Sequence, residues 1–305
     1  MRILVTGASG LLGLNLALEA RKNHQVTGVD RCKLTGVPFD MVCADLQDDG
    51  AVEHTLDKAQ PDWLIHCAAL ADLEACESDP ERAKSLNAEL PGRMAAACRE
   101  RGIRMVHIST DAVFDGTRVG AYSEMDAPHP LSVYAATKLD GETSVLAANP
   151  LALVARVNFY GWSPTGKRSL AEFFFNNLSA GRHVDGFTDV LFCPAFVGDL
   201  ADLILSMLGK GLLGLYHVVG AECLSKYAFG VVLARRFGLD ESLITPALVN
   251  MSALTAQRSH NLNLSVQKLS TSLGQVIPEF SSGMERFYQQ YLQDYPKKIS
   301  QYAQT

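Results

Sequence analysis

Tyr134 is the one tyrosine in this sequence that has a lysine four residues later, and the two side chains could together transfer a proton. Tyr134 and Lys138 open a stretch whose pattern predicts a helix, so their side chains share one face. A phenol has a pKa of about 10, and a neighbouring ammonium favours its ionised form. The pair could therefore give or take a proton near neutral pH. The same spacing alone is also common on amphipathic helix surfaces.

A second candidate group stands at the end of a predicted strand. Ser109, Thr110 and Asp111 follow an apolar run that starts at Met105. The carboxyl ends of strands in a doubly wound sheet face the ligand crevice, so a hydroxyl here could hydrogen-bond a substrate carbonyl. A turn or a helix cap would use the same residue types. Together with the tyrosine–lysine pair, however, the triplet indicates a catalytic role more strongly than it does alone.

The chain begins with a glycine-rich turn that fits the pyrophosphate of a dinucleotide. The segment Thr-Gly-Ala-Ser-Gly-Leu-Leu-Gly at residues 6–13 lies between the first predicted strand and the first predicted helix. Gly7 allows the tight turn, Gly10 allows close approach to the pyrophosphate, and Gly13 allows the helix to pack on the sheet. The phosphates then meet free N–H groups and the positive end of the helix dipole. We expect these residues to contact NAD or NADP: Gly7, Ser9, Gly10, Leu11 and Leu12.

The adenosine end of the cofactor has two opposed candidates. Asp30 ends the second predicted strand, where an acid can hold the ribose hydroxyls. Arg31 follows it and could instead pair with the 2′-phosphate of NADP, so the choice between NAD and NADP stays open. Further cofactor-binding candidates follow later strands: Asp45, Leu46, Cys67, Ala68, Ala69 and Ser109. Asp45 would equally serve as a helix cap, and packing alone would also explain the small residues after the fourth strand.

These residues need a sheet and helices to position them, and the apolar pattern predicts both. Predicted strands span Ile3–Thr6, Gln25–Val29, Phe39–Cys43, Trp63–Cys67, Met105–Ser109 and Leu151–Val157. Predicted helices between them span Leu11–Lys22, Ala51–Ala59, Ala88–Arg101 and Tyr134–Ala148. Strand–helix alternation with nearly continuous apolar strands predicts the α/β class, with a Rossmann-type doubly wound parallel sheet.

The second half of the sequence is less regular. It predicts helices over Leu170–Ala180, Asp199–Leu208, Lys226–Phe237 and Phe280–Gln293, and a strand over Leu215–Val219. We expect residues 1–157, with a returning segment of about 187–220, to form an NAD(P)-binding domain. Residues of about 158–186 and 221–295 would form a smaller α/β substrate-binding lobe. The polar residues 296–305 would fray.

The composition of the chain argues against several kinds of partner and ligand. The 305-residue chain has a formal net charge of −6, which argues against nucleic acid and against an anionic membrane surface. No apolar run is long enough for a signal peptide or a membrane span, so we expect a cytoplasmic protein. The seven cysteines include no Cys-x-x-Cys pair and predict buried thiols rather than a disulfide framework. Neither they nor the eight histidines show the spacing of a metal site.

The glycine turn, the strand end and the tyrosine–lysine pair together resemble the short-chain dehydrogenase/reductase superfamily, in its extended, nucleotide-sugar branch. Residues 108–116, Ile-Ser-Thr-Asp-Ala-Val-Phe-Asp-Gly, are similar to dTDP-4-dehydrorhamnose reductases. The resemblance implies hydride transfer from NAD(P)H to the 4-keto group of a nucleotide-linked deoxysugar. It implies Tyr134 as general acid, Lys138 as the residue that lowers its pKa and binds the nicotinamide ribose, and Thr110 as a partner of the carbonyl. On the substrate side it implies Asp111, Ala112, Asn158 and Phe159.

Departures from this resemblance leave alternatives open. Such reductases usually carry Tyr at the position of Ala112 and Thr-Ser-Trp where this chain has Val157-Asn158-Phe159, so the sugar is undetermined. Related dehydratases use Thr-Asp-Glu, and Ala112 cannot replace that acid, whereas epimerisation needs no acid there. The β subunit of methionine adenosyltransferase resembles the same family and binds a partner enzyme without catalysis. A homodimer is also an open alternative.

Overall fold

The computed structural model describes residues 1–31, 34–251 and 255–302. The strands in it are β1 (Arg2–Thr6), β2 (Gln25–Asp30), β3 (Asp40–Cys43), β4 (Trp63–His66), β5 (Arg104–Thr110), β6 (Leu153–Val157), β7 (Phe159–Tyr160), β8 (Val184–Phe187), β9 (Leu191–Phe192), β10 (Ala195–Phe196), β11 (Gly214–Val218), β12 (Leu224–Ser225), β13 (Ile244–Ala247) and β14 (Asn261–Leu262). The helices are α1 (Leu11–Ala20), α2 (Ala51–Ala59), α3 (Leu73–Ser78), α4 (Pro80–Lys84), α5 (Leu90–Glu100), α6 (Val133–Ala148), α7 (Leu170–Ser179), α8 (Val197–Gly209), α9 (Lys226–Phe237), α10 (Gln267–Leu273), α11 (Phe280–Leu292) and α12 (Tyr295–Ser300).

A parallel sheet of seven strands forms the centre of the described fold. Its order is β11-β6-β5-β4-β1-β2-β3, and every neighbouring pair runs parallel. The chain therefore winds outward from β1 in one direction as far as β3, and then in the other direction from β4. Ligands bind at such a switch point, outside the carboxyl ends of the strands. The predicted doubly wound parallel sheet is confirmed.

Alternate residues of the central strands pack into two separate cores. Ile3 and Val5 of β1 belong to the core under α1 and α8, whereas Leu4 between them belongs to the core under α2 and α5. The same alternation separates Ile65 from Leu64 in β4. Because both faces of the sheet are covered, its strands are apolar on both sides, which is the pattern that the sequence showed.

A smaller α/β region lies beyond the sheet. In it β8 pairs with β13, and β9 pairs with both β12 and β14. Rings from several elements stack there, among them Trp162 on Phe287 with centroids 4.2 Å apart. These strands are only two to four residues long, too short to show a period in the sequence. The division into two domains at residues 157, 187 and 220 stays a prediction.

The C-terminal residues differ from the expected frayed tail. Helix α12 spans Tyr295–Ser300, and Ile299 is buried against the core under α1. The Tyr295 hydroxyl donates to Oδ1 of Asn15, 2.8 Å away. The polar composition was misleading because two apolar side chains suffice to anchor a helix this short. Residues 303–305 lie outside the described residues.

The expectation of buried thiols was wrong for three cysteines. Cys193 and Cys223 form a disulfide, because β9 and β12 pair and bring together residues that are 30 apart in sequence. Cys43 is exposed and Cys67 is half-buried, whereas Cys76 and Cys98 are buried thiols as predicted. Cys32 lies outside the described residues. Among the helices that the structure describes, none is long and apolar enough to cross a membrane.

Candidate active site

Three glycines shape the turn between β1 and α1. Gly7 has a φ of +65°, a left-handed conformation that favours glycine, and a Cβ there would lie 2.8 Å from the backbone nitrogen of Ala68. A Cβ on Gly13 would collide with the carbonyl oxygen of Gly7. Gly10 precedes α1, and no side chain caps the helix there, so its first N–H groups face the cavity described next. This is the cradle that a pyrophosphate requires.

The turn forms one wall of a cavity of about 360 Å³ at the carboxyl ends of β1, β2, β4 and β5. Every cofactor-binding residue expected from the sequence lines it: Gly7, Ser9, Gly10, Leu11, Leu12, Asp30, Arg31, Asp45, Leu46, Cys67, Ala68, Ala69, Ser109, Tyr134 and Lys138. The described residues therefore provide a continuous surface from the first turn to α6. They fit a dinucleotide in shape and in the donors they offer, and their individual contacts with it stay predictions.

The carboxylate of Asp30 is already hydrogen-bonded in this cavity. It accepts from the backbone nitrogen of Ser9 at 2.9 Å and from the Ser9 hydroxyl at 2.8 Å, while its other oxygen accepts from the backbone nitrogen of Arg31 at 2.8 Å. These contacts fix the carboxylate beside the glycine turn, where it could accept from ribose hydroxyls. Arg31 lines the same cavity. The structure therefore permits both interpretations of the adenosine end, with Asp30 holding the ribose hydroxyls or Arg31 pairing with a 2′-phosphate.

A second cavity of about 320 Å³ opens beside the first. Thr110 and Tyr134 line both cavities, and Asp111, Ala112 and Asn158 line the second one as expected for the substrate side. Phe159, which was expected on the substrate side, lines the first cavity instead. Two of the three candidate catalytic side chains, Thr110 and Tyr134, therefore stand at the junction of the two cavities, and Lys138 lines the first one alone.

The pKa of Tyr134 is raised, whereas Lys138 was expected to lower it. Burial raises the pKa of Tyr134 to about 12, although a hydrogen bond with Thr110 opposes this shift. Burial also lowers the pKa of Lys138 to about 8, and its Nζ donates to the backbone oxygen of Ile108 at 2.6 Å. In this state the phenol keeps its proton at neutral pH. That suits a group that gives a proton to a reduced carbonyl.

Polar contacts hold the end of β5 in place. Asn158 donates from Nδ2 to Asp111 at 2.6 Å, and burial raises the pKa of the Asp111 carboxyl to about 6. The Ser109 hydroxyl donates to Glu142 at 2.5 Å. Glu142 in turn forms a bidentate ion pair with Arg156, and both side chains are at most 5% exposed. The Thr110 hydroxyl donates to Asp111 at 3.2 Å, so both hydroxyls at the strand end are oriented by carboxylates.

Two cations of the second cavity were missed by the sequence reasoning. Lys226 begins α9, and burial, with the nearby charge of Arg258, lowers its pKa to about 8. Arg258 pairs with Glu74 through Nη2 at 3.3 Å, while its buried Nη1 has no partner among the described residues. No local motif marks either residue, because only the tertiary fold brings α9 and the segment before β14 to the end of β5. Within the described residues there is no cluster of three metal-ligating side chains.

Comparison with known proteins agrees with this geometry. Residues 1–293 match the RmlD substrate binding domain family. The probable low-salt glycan biosynthesis reductase Agl14 of Haloferax volcanii is 34% identical over 90% of this chain and 93% of its own length. Methionine adenosyltransferase 2 subunit beta of Pongo abelii is 34% identical over 91% and 84% of the two chains. The dTDP-4-dehydrorhamnose reductase of Mycobacterium tuberculosis is 34% identical over 80% and 78%.

Solved structures share the whole fold. A dTDP-4-dehydrorhamnose reductase from Clostridium acetobutylicum superposes with a TM-score of 0.86 and 28% identity, covering 96% of this chain and all of that one. The enzyme of the same name from Bacillus anthracis, solved in complex with NADP, gives 0.86 and 25% over 95% and 99% of the two chains. The protein therefore belongs to the RmlD substrate binding domain family and has the extended short-chain dehydrogenase/reductase fold of dTDP-4-dehydrorhamnose reductases.

Proposed function

We propose that this protein is an NAD(P)H-dependent reductase of a nucleotide-linked 4-keto-6-deoxy sugar. The observation that carries the proposal is the place of Thr110 and Tyr134, which line both the dinucleotide-shaped cavity and the cavity beside it. A carbonyl held at this junction would meet a hydride donor on one side and a proton donor on the other. A protein that only binds a dinucleotide, or one with a purely structural role, does not require Thr110 and Tyr134 to line both cavities.

The residues at the junction can perform the proton half of the reduction. The bound nicotinamide would supply the hydride. Tyr134, protonated at neutral pH, would donate its proton to the oxygen of the carbonyl as that oxygen gains negative charge. Thr110 would orient the same oxygen by a hydrogen bond. Lys138, held by its hydrogen bond to the oxygen of Ile108, would bring positive charge to this edge of the sheet and bind the nicotinamide ribose.

The second cavity suits an anionic substrate such as a sugar nucleotide. Lys226 and Arg258 supply positive charge there. The Nη1 atom of Arg258 has no partner among the described residues and could donate to a further acceptor. Ala112 leaves room for the sugar where related reductases carry a larger side chain. The resemblance to a dTDP-4-dehydrorhamnose reductase supports this substrate class, and the resemblance to a probable glycan biosynthesis reductase supports a reductase. A cytoplasmic location stays part of the proposal.

A second candidate function is a cofactor-binding subunit of another enzyme. It is favoured by the similarity to methionine adenosyltransferase 2 subunit beta, which extends over 91% of this chain. The short side chain of Ala112 also favours it, because a sugar pocket without the usual ring is less complete. Under this proposal the dinucleotide would stabilise the fold, and a surface of the chain would bind the partner enzyme.

One experiment separates the two candidates. Purified protein is mixed with NADPH or NADH and a panel of nucleotide-linked 4-keto-6-deoxy sugars, and cofactor absorbance and cofactor binding are both measured. The reductase proposal expects turnover, and a fall in kcat of about 10²–10⁴-fold for Tyr134→Phe with cofactor binding retained. Tyr291→Phe, which removes a hydroxyl from an exposed tyrosine, is the matched control. Cofactor binding without turnover, together with co-purification of a methionine adenosyltransferase, would support the subunit instead.

A further inference from the structure

The side chain of Arg168 reaches over the glycine turn from outside the sheet. Its Nη1 atom lies 3.7 Å from the position that a Cβ of Gly10 would occupy, and the residue lines the first cavity. Arg168 belongs to the loop between β7 and α7, more than 150 residues away in sequence. Its guanidinium has no ion-pair or hydrogen-bond partner among the described residues. No hydrogen-bond acceptor in the described part of the chain therefore accounts for the position of this guanidinium beside Gly10.

The backbone that carries this arginine is held by a buried carboxylate. Glu172, only 1% exposed, accepts from the backbone nitrogens of Ser163 at 2.6 Å, Arg168 at 2.7 Å and Ser169 at 3.1 Å. Ser169 completes a capping box with Glu172 at the start of α7. The loop is also tied by Asn176, whose Nδ2 donates to the oxygen of Gly166 at 2.7 Å. The position of the Arg168 backbone is thus fixed before any ligand binds.

We propose that Arg168 binds the pyrophosphate of the dinucleotide from the side opposite α1. The middle glycine of such a turn is the point where the backbone approaches the pyrophosphate, and Arg168 stands beside that glycine. Guanidinium groups bind phosphate oxygens through two parallel hydrogen bonds. The pyrophosphate would then lie between the N–H groups that open α1 and the Arg168 fork. The inference rests on the dinucleotide-binding part of the proposed function and on no property of the sugar.

The proposal separates Arg168 from Arg31, the other arginine of the cavity. Arg31 follows the strand end that carries Asp30, so under the proposed function it would lie near the adenosine ribose and its 2′ position. Arg168 faces the middle of the turn, a part of the ligand that NAD and NADP share. Loss of Arg168 should therefore weaken both cofactors alike, whereas loss of Arg31 should act on NADP alone.

The test measures the dissociation constants of NADH, NADPH and ADP-ribose for the full chain and its variants, by fluorescence and calorimetry without any sugar. Arg168→Gln is compared with Lys167→Gln, which removes the same charge from the neighbouring exposed residue outside the cavity. We expect Arg168→Gln to raise all three constants by about tenfold or more, because a charged hydrogen bond to phosphate is lost. Lys167→Gln should leave them within about twofold, and Arg168→Lys should recover part of the loss.

Three results would overturn the proposal. One is unchanged binding of all three ligands by Arg168→Gln. Another is a loss confined to NADPH, which would assign Arg168 to the 2′-phosphate. The third is an equal loss in Lys167→Gln, which would show a general charge effect. Failure of the unmodified protein to bind any of the three would refute the proposed function itself, and retained melting temperatures would show that the variants fold.

Discussion

Lys138 donates a hydrogen bond from Nζ to the backbone oxygen of Ile108, 2.6 Å away, two residues before Thr110 on the same strand. The ammonium is therefore held against the base of the candidate active site rather than directed into solvent. Burial of that ammonium lowers the pKa of Lys138 to about 8, although the charges of Glu142 and Cys67 oppose the shift. Its charge changes within an experimentally accessible pH range, as do the charges of Asp111 and Lys226 in the second cavity.

The rate of carbonyl reduction should fall as the pH rises above about 8. Tyr134, with a pKa raised to about 12 by burial, keeps its proton throughout this range. We therefore expect the alkaline limb to follow loss of the charge of Lys138, which lies nearer the glycine turn than Lys226, the other lysine with a pKa of about 8. A profile of kcat/KM against pH measures the limb. Lys138→Arg, whose guanidinium stays charged, should move it to higher pH even if the maximum rate is lower. A limb at the same pH in this variant would assign it to another group.

The buried ion pair behind the strand end should dominate the stability of this region. Glu142→Gln leaves the Arg156 guanidinium buried without its counter-charge and removes the charged acceptor of the Ser109 hydroxyl. We expect the free energy of unfolding in urea to fall by about 3–5 kcal/mol. Glu285→Gln, which breaks the exposed pair with Arg236, is the matched control and should change it far less. Similar losses in the two variants would contradict the role assigned to burial.

The sequence predicted the parts of this site that depend on local structure. The strand, turn and helix around Gly7 and the Tyr134–Lys138 spacing are fixed by neighbouring residues, so their pattern is visible in the chain itself. The expected lowering of the Tyr134 pKa failed because it considered a charge four residues away and not the desolvation that the rest of the fold imposes. Burial is a tertiary property, and spacing alone cannot supply it.

The residues that the sequence did not reveal come from distant segments. Arg168, Lys226 and Arg258 reach the cavities from loops and helix starts after β6, where no glycine pattern or period marks them. Short strands that position these segments, such as β12 at Leu224–Ser225, are too brief to be predicted from alternation. Substrate-binding regions of this kind therefore need the fold before their charges can be interpreted.

The cofactor preference should follow the balance between Asp30 and Arg31. The Asp30 carboxylate would repel a 2′-phosphate, and the adjacent guanidinium would attract it. Asp30→Asn should lower the ratio of the NADPH to the NADH dissociation constant by about tenfold, which corresponds to about 1.4 kcal/mol. Arg31→Gln should raise the same ratio. Titration of both cofactors against each variant gives the ratios, and a ratio that neither substitution moves would place the adenosine end elsewhere in the cavity.

The disulfide between Cys193 and Cys223 should stabilise the substrate side of the protein. It closes a loop between residues 30 apart and ties β9 to the segment before β12, next to Phe192 and Lys226 of the second cavity. A closed loop of this length is worth about 2–4 kcal/mol, chiefly by restricting the unfolded chain.

Dithiothreitol should therefore lower the free energy of unfolding by that amount, in a Cys43→Ser background that removes the exposed free thiol. The same background with Cys193→Ala and Cys223→Ala should not respond to the reductant. Thiol counting by mass spectrometry establishes the oxidised state before each measurement. If the reduced chain unfolds at the same urea concentration as the oxidised chain, the bond does not constrain the unfolded state. Because reducing compartments keep such bonds open, a stabilised oxidised form would argue against the expected cytoplasmic location.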